Sequence, residues 1–128
     1  MADYAKISVK GLFSKSSDYS DPKASFSPEA FALTPDEYIH MEKEFPSVLA
    51  AGNYVTTNNF NEVTLLLIKN RDATNFVKVT FTTTDVASNI VRVPPGGILS
   101  LPGITASTNF IVLADTAPCE CEILITGT

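Results

Sequence analysis

From residue 48 to the C-terminus, short runs of Val, Ile, Leu, Thr and Phe are interrupted by clusters of Asn, Asp, Pro and Gly. The runs recur at about 8 to 12 residues, the rhythm of short antiparallel strands in a sandwich or barrel. A parallel sheet needs a crossover of a dozen or more residues between strands, usually a helix, and these gaps are too short for one. The clearest run is "CECEILIT", in which Cys119, Cys121, Ile123 and Ile125 share one face of an extended chain and Glu120 and Glu122 share the other. "FVKVTFTTT" likewise sets Val77, Val79 and Phe81 against Lys78, Thr80 and Thr82. "VLAAGNYVTT", "NIVRV", "GILSL" and "NFIVLA" supply further short strands. "EVTLLLIKN" is apolar on both faces, with Val63, Leu65 and Leu67 on one and Leu66 and Ile68 on the other. Such a strand is central and covered on both sides, by its own chain or by a second one.

Residues 91–103, "VRVPPGGILSLPG", contain two proline–glycine steps between apolar runs. A phosphate-cradling loop presents several backbone N–H groups and usually opens a helix. Here Pro94 and Pro95 remove donors and a strand follows. Pro95-Gly96 instead suits the two central positions of a type II turn, so the stretch reads as a corner between strands.

The N-terminal third differs in character. "AKISVKGLF" alternates, with Ala5, Ile7 and Val9 on one face of an expected strand. Residues 14–46 are rich in Ser, Pro and acidic residues, and "SKSSDYSDPKAS" reads as an exposed loop. "SPEAF" at 27–31 reads as a short helical turn. "LTPDEYIHMEKEF" carries the signature of a helix over residues 35–45. Thr34 is the N-cap, Pro35 the first helical residue and Glu37 the capping-box partner, and Pro46 stops the run. Tyr38, Met41 and Phe45 then form one apolar stripe. The expected architecture is mainly β: an antiparallel β-sandwich or jelly roll of about eight strands with one short helical excursion. One domain spans residues 1–128, with 14–46 as a loop-and-helix insertion and 48–128 as the main sandwich. A second apolar face on the strand at 63–70 would need a cover, so Tyr38, Met41, Phe45, Leu66 and Ile68 are the candidate interface.

Fourteen acidic and nine basic residues give a net charge of -5. That balance repels phosphate backbones, and no basic patch offsets it, so no nucleic-acid partner is expected. No apolar run reaches the roughly 18 residues of a membrane span, and no basic leader precedes an apolar stretch, so synthesis in a cytoplasm and no membrane partner are expected. Two cysteines two residues apart on a strand are poorly placed to bridge, and they fall short of a structural zinc site. They read as small buried hydrophobes. His40, the single histidine, reads as a solvated residue beside Glu37 and Glu44. Glu120 and Glu122 read as outward, solubilising carboxylates. No nucleophile elbow, Cys–His pair or phosphate loop occurs, so no catalytic residue, metal or cofactor is expected, and an enzyme is not. The different-class alternative is a carbohydrate- or receptor-binding β-sandwich module. In it Tyr54 and Phe60 would form a platform for a sugar, with the Asn58 and Asn59 amides as hydrogen-bond partners.

"VTLLLIKNRDATNFVKVTF", "VRVPPGGILSLPG" and "NFIVLADTAPCECEILITGT", taken in that order, resemble small β-sandwich virion proteins of tailed bacteriophages. The likeness covers residues 62–126: a strand ending in an Asn-containing turn, a second strand, a Pro-Gly corner, and an Ala-Asp-x-Ala turn into the last strand. Residues 14–46 have no counterpart in it. The resemblance implies a non-enzymatic structural protein in the virion, made in the host cytoplasm, acting as capsid decoration or as a head–tail accessory subunit. Its implied partners are other capsid or tail proteins and further copies of itself, as a homo-oligomer.

Overall fold

The structure, a computed structural model, describes residues 5–7, 11–14, 22–26, 31–33, 37–57, 60–81, 90–101 and 109–128. The chain divides into two compact units, residues 1–34 and 35–128. Among the described residues the first holds four short strands, β1 (Ala5–Ile7), β2 (Gly11–Ser14), β3 (Pro22–Phe26) and β4 (Phe31–Leu33). They form two antiparallel ladders, β1 on β4 and β2 on β3. The single strand expected from Ala5 is instead two, β1 and β2, in separate ladders, and residues 8–10 between them lie outside the described residues. Residues 22–26, expected within a loop, are a strand, and Phe31 opens another. The other four residues of the helical turn expected over 27–31 lie outside the described residues.

The second unit is a sandwich of eight strands. They are β5 (Glu37–Phe45), β6 (Tyr54–Val55), β7 (Val63–Asn70), β8 (Val77–Thr80), β9 (Ile90–Val93), β10 (Ile98–Leu101), β11 (Phe110–Ala114) and β12 (Cys119–Gly127). One sheet has the order β10-β7-β12-β5 and the other β6-β11-β8-β9, all antiparallel. The first of the eight pairs with the last, the second with the seventh, the third with the sixth, and the middle two with each other. That is one long hairpin rolled until its parts form two facing sheets, a jelly roll. Most links therefore need only step from one sheet to the other, which is why the intervals between strands are short.

No helix forms over residues 38–45. Glu37–Phe45 is β5, and the expected capping residues 34–36 lie outside the described residues. Two periods compete in "EYIHMEKEF". Tyr38, Met41 and Phe45 fit a helical stripe, whereas Ile39, Met41 and Phe45 fit an alternation with His40, Glu42 and Glu44 opposite. Pairing decides between them. β5 lies against β12 from Cys119↔Phe45 to Gly127↔Glu37. That ladder buries Phe45 completely and packs Ile39 and Met41 on the core, which outweighs the weak intrinsic preference of a short helix. The unit holding the sandwich begins at Pro35, so residues 37–45 belong to it rather than to an insertion.

The core lies between the sheets. Cys119, Cys121, Ile123 and Ile125 of β12 are fully buried, as the alternation of "CECEILIT" requires. Val77 and Val79 face them from the other sheet, joined by Val93, Phe110, Val112 and Ala114. Phe81 packs on the same core and tilts against Phe110 at 5.8 Å between ring centres. β7 is central, between β10 and β12, as its doubly apolar sequence demands. Leu66 and Ile68 point inward, opposite Ile125 and Ile123, so Leu65 and Leu67 point outward. The ladder slips by one residue between Thr126 and Gly127. Glycine is required there because the Phe60 ring and the Glu62 carbonyl occupy the space a Cβ would take.

Two other expectations resolve locally. "VLAAGNYVTT" is a 3-10 turn at Ala51–Asn53 followed by the two-residue β6, rather than a long strand. The Pro-Pro-Gly-Gly stretch is the corner it was read to be. Gly96 has φ of 72° and the Gly97 N–H donates to the Pro94 carbonyl at 2.9 Å, which closes a type II turn. This corner carries the chain from β9 in one sheet to β10 in the other.

Candidate functional site

Two of the sheet-crossing corners are tied down by fully buried asparagines. Asn70 ends β7, and its side-chain N–H groups donate to the carbonyls of Asn75 at 2.8 Å, Val93 at 3.2 Å and Pro94 at 3.3 Å. Its Oδ1 accepts from the Asp72 N–H at 3.0 Å. Asn53 closes the link from β5 to β6. Its side chain donates to the carbonyls of Pro46 at 3.0 Å and Val112 at 2.9 Å, and its Oδ1 accepts from the Ala50 N–H at 2.7 Å. Each buried amide satisfies backbone groups that would otherwise lack partners away from water. One further hydrogen bond holds each corner. Ala114 N–H donates to the Pro46 carbonyl, and Thr116 Oγ1 donates to Asn75 Oδ1.

The outer surfaces of the two corners differ. Beyond Asn70, Asp72 accepts from the N–H groups of Thr74 and Asn75 and from Thr74 Oγ1. These donors, the Asn75 N–H foremost, hold the Asp72 carboxyl below its ordinary value. Arg71 leaves the same turn and bridges Glu42 and Glu122, each at 3.1 Å. Beyond Asn53 there is no charge: the sequence from Pro46 to Asn61 contains no Asp, Glu, Lys or Arg. Within it Val48 is 75% exposed and Leu49 43% exposed, with Ala50 and Ala51 exposed beside them. Lys43 Nζ donates to the Gly52 carbonyl at 2.7 Å and fixes the foot of this loop. The result is an apolar tip on a hydrogen-bonded base.

The second feature is the outer face of the sheet β10-β7-β12-β5. Leu67, Leu124 and Ile98 form the floor of an open depression of about 260 Å³, rimmed by His40, Lys69 and Glu122. His40 Nε2 lies 2.7 Å from Glu122 Oε2. The His40 hydrogen bond above all, then the Arg71 charge, keeps the Glu122 carboxyl below its ordinary value despite some desolvation. Beside the depression Glu42 stands opposite Glu122 and Glu44 opposite Glu120. Arg71 bridges the first pair. The side chains of Glu44, Glu120 and Lys69 have no ion-pair partner among the described residues.

The structure separates the residues singled out from sequence. Leu66, Ile68 and Phe45 are fully buried in the core and Met41 packs against it, so these four line the sandwich interior rather than an interface. Tyr38, on the opposite face of β5, is 70% exposed. Tyr54 is 42% exposed, but Phe60 is buried in the core, so the two rings form no common platform; Asn58 and Asn59 lie outside the described residues. His40 is exposed on a strand and paired with Glu122 rather than solvated on a helix. Both cysteines are free and buried, and burial pushes the Cys121 thiol up to about 12. Among the described residues no group of three His, Cys, Asp or Glu is placed to hold a metal ion. Val48, Leu49, Leu67, Ile98 and Leu124 were not singled out as a surface. The uncharged run after Pro46 was a readable signal for the first two. Nothing in the local pattern separated the outward leucines from inward ones.

No protein family, curated protein or solved structure matches this chain.

Proposed function

We propose that the protein is a non-enzymatic structural subunit of a tailed-bacteriophage virion, acting through protein contacts as capsid decoration or as a head–tail accessory. The observation that carries this reading is the uncharged corner at residues 46–54, which presents Val48 and Leu49 to solvent on a base tied by the hydrogen bonds of buried Asn53. Exposed aliphatic side chains clustered on an ordered scaffold are a feature of contact surfaces. The resemblance of residues 62–126 supplies the virion context. The jelly roll fits it by analogy only, since the same fold serves capsid and lectin domains alike and a fold by itself does not choose a function. With Phe60 inside the core, the Tyr54–Phe60 platform of the sugar-binding alternative is not formed.

The test is co-sedimentation of the purified chain with phage particles, together with its copy number per particle. Saturable binding at a fixed number of copies supports the proposal. Binding to a glycan array without binding to particles overturns it.

A further inference from the structure

We propose that a second copy of this chain docks end to face, with the Val48–Leu49 corner of one copy seated in the Leu67–Leu124–Ile98 depression of the next. This deepens the assembly role proposed above and rests on it.

Three observations lead to a second copy as the occupant. The chemistry of the two surfaces matches: the corner is aliphatic and uncharged, and the depression has an aliphatic floor. A depression of about 260 Å³ falls below the usual range of small-molecule sites, about 300 to 1,000 Å³, and is of a size for one or two aliphatic side chains. The unpaired charges also match. At the foot of the corner, on the ends of β5 and β12, Glu44 and Glu120 stand opposite each other with no cation paired to either among the described residues. At the edge of the depression Lys69 has no anion among the described residues, because Arg71 and His40 already engage Glu122. Two carboxylates directly opposite on neighbouring strands repel, and a lysine brought by the neighbouring copy relieves that. The contacts of Glu122 with Arg71 and His40 brace the rim, and the hydrogen bonds of Asn53 hold the tip, so little order has to be gained on docking.

Because the two surfaces are different, the contact is heterologous. Each copy has one free tip and one free depression, and repeated docking gives a ring or an open chain, as the rotation between copies dictates. A two-fold dimer of like surfaces is not what this geometry builds.

The experiment uses the full chain with two sets of substitutions on exposed residues. One variant carries Val48→Asp and Leu49→Asp. The other carries Ile98→Asp, at a side chain 63% exposed on the edge strand β10. Circular dichroism checks that both keep the β fold. In sedimentation velocity the wild type associates with rising concentration, and each variant alone loses at least tenfold in affinity. An equimolar mixture of the two then forms a two-chain species and nothing larger, since one intact tip meets one intact depression. Lys69→Glu weakens wild-type association by a smaller factor, and that loss shrinks at high salt. A monomeric wild type overturns the proposal, as does undiminished association of either folded variant. A mixture that stays monomeric, or one that forms the same larger species as the wild type, also overturns it. Should Ile98→Asp fail to fold, Ile98→Ser serves in its place. These measurements need no particles, so self-association can fail while particle binding stands, and the reverse.

Discussion

The corner at Asn53 and the corner at Asn70 use one device for opposite exteriors. Both links step from the sheet β10-β7-β12-β5 to the sheet β6-β11-β8-β9, and both are held by a fully buried asparagine that bonds backbone groups on each side. Outside Asn70 the chain is charged and its charges are engaged, by Asp72 with its own turn and by Arg71 with Glu42 and Glu122. Outside Asn53 the chain is aliphatic and open to water. A sheet-crossing corner in this fold therefore does not require an apolar exterior, since its neighbour does without one. Val48 and Leu49 are largely exposed and contribute little to the sandwich itself, which leaves them available for the contact proposed above.

The comparison breaks first at the asparagines. Asn53→Ala and Asn70→Ala should each cost about 3 kcal/mol, because each strands buried backbone groups. Urea unfolding monitored by circular dichroism measures both. An Asn53→Ala variant as stable as wild type would mean that the tip is not held by its base, and the likeness between the corners would be lost. Another crossing, β9 to β10, uses a left-handed glycine instead of an asparagine. Gly96→Ala should cost about 1–2 kcal/mol, since a Cβ at φ of 72° is strained even in open space. A cost of zero would show that this turn relaxes freely.

Acid sharpens the contrast. The Asp72 carboxyl is held below its ordinary value in the folded chain. Its stabilisation is therefore present above the unfolded carboxylate value of about 3.9, and it is lost as pH falls through the lower folded value. Asp72→Asn should lower the melting temperature slightly at pH 7 and make no difference once the wild-type carboxyl is protonated. A deficit that persists unchanged at the lowest pH would mean that the charge is not what matters. The run from Pro46 to Asn61 that forms the Asn53 corner holds no carboxylate, and its stability should be flat over the same acid range. Smallest of all is the expected effect of Val48→Asp with Leu49→Asp on folding, within about 0.5 kcal/mol, as for most substitutions at exposed sites. A larger loss in urea unfolding would make the tip part of the sandwich's own support.

Much of the second unit was legible in the sequence, and the reasons are local. Alternation placed Cys119, Cys121, Ile123 and Ile125 inside and Glu120 and Glu122 outside, because a period of two leaves a strand only one way to bury four residues at once. Pro95-Gly96 announced a turn through one residue with a fixed φ and another tolerant of positive φ. The spacing of turns excluded crossover helices and with them a parallel sheet. Tertiary structure decided the rest, and in each case two local solutions were nearly equal. Residues 37–45 satisfied a helical stripe and a strand alternation equally well, and only the partner strand β12, about eighty residues away in the chain, turned them into β5. β7 was apolar on both faces, so its own pattern could not say whether Leu66 and Ile68 or Leu65 and Leu67 would face the core. Its register against Ile123 and Ile125 did. The depression floored by Leu67, Leu124 and Ile98 draws on three strands distant in sequence, and no window along the chain contains it. Local chemistry determines which way a strand alternates and where it turns; which strands meet, and what their outward faces then make together, depends on pairing between distant segments.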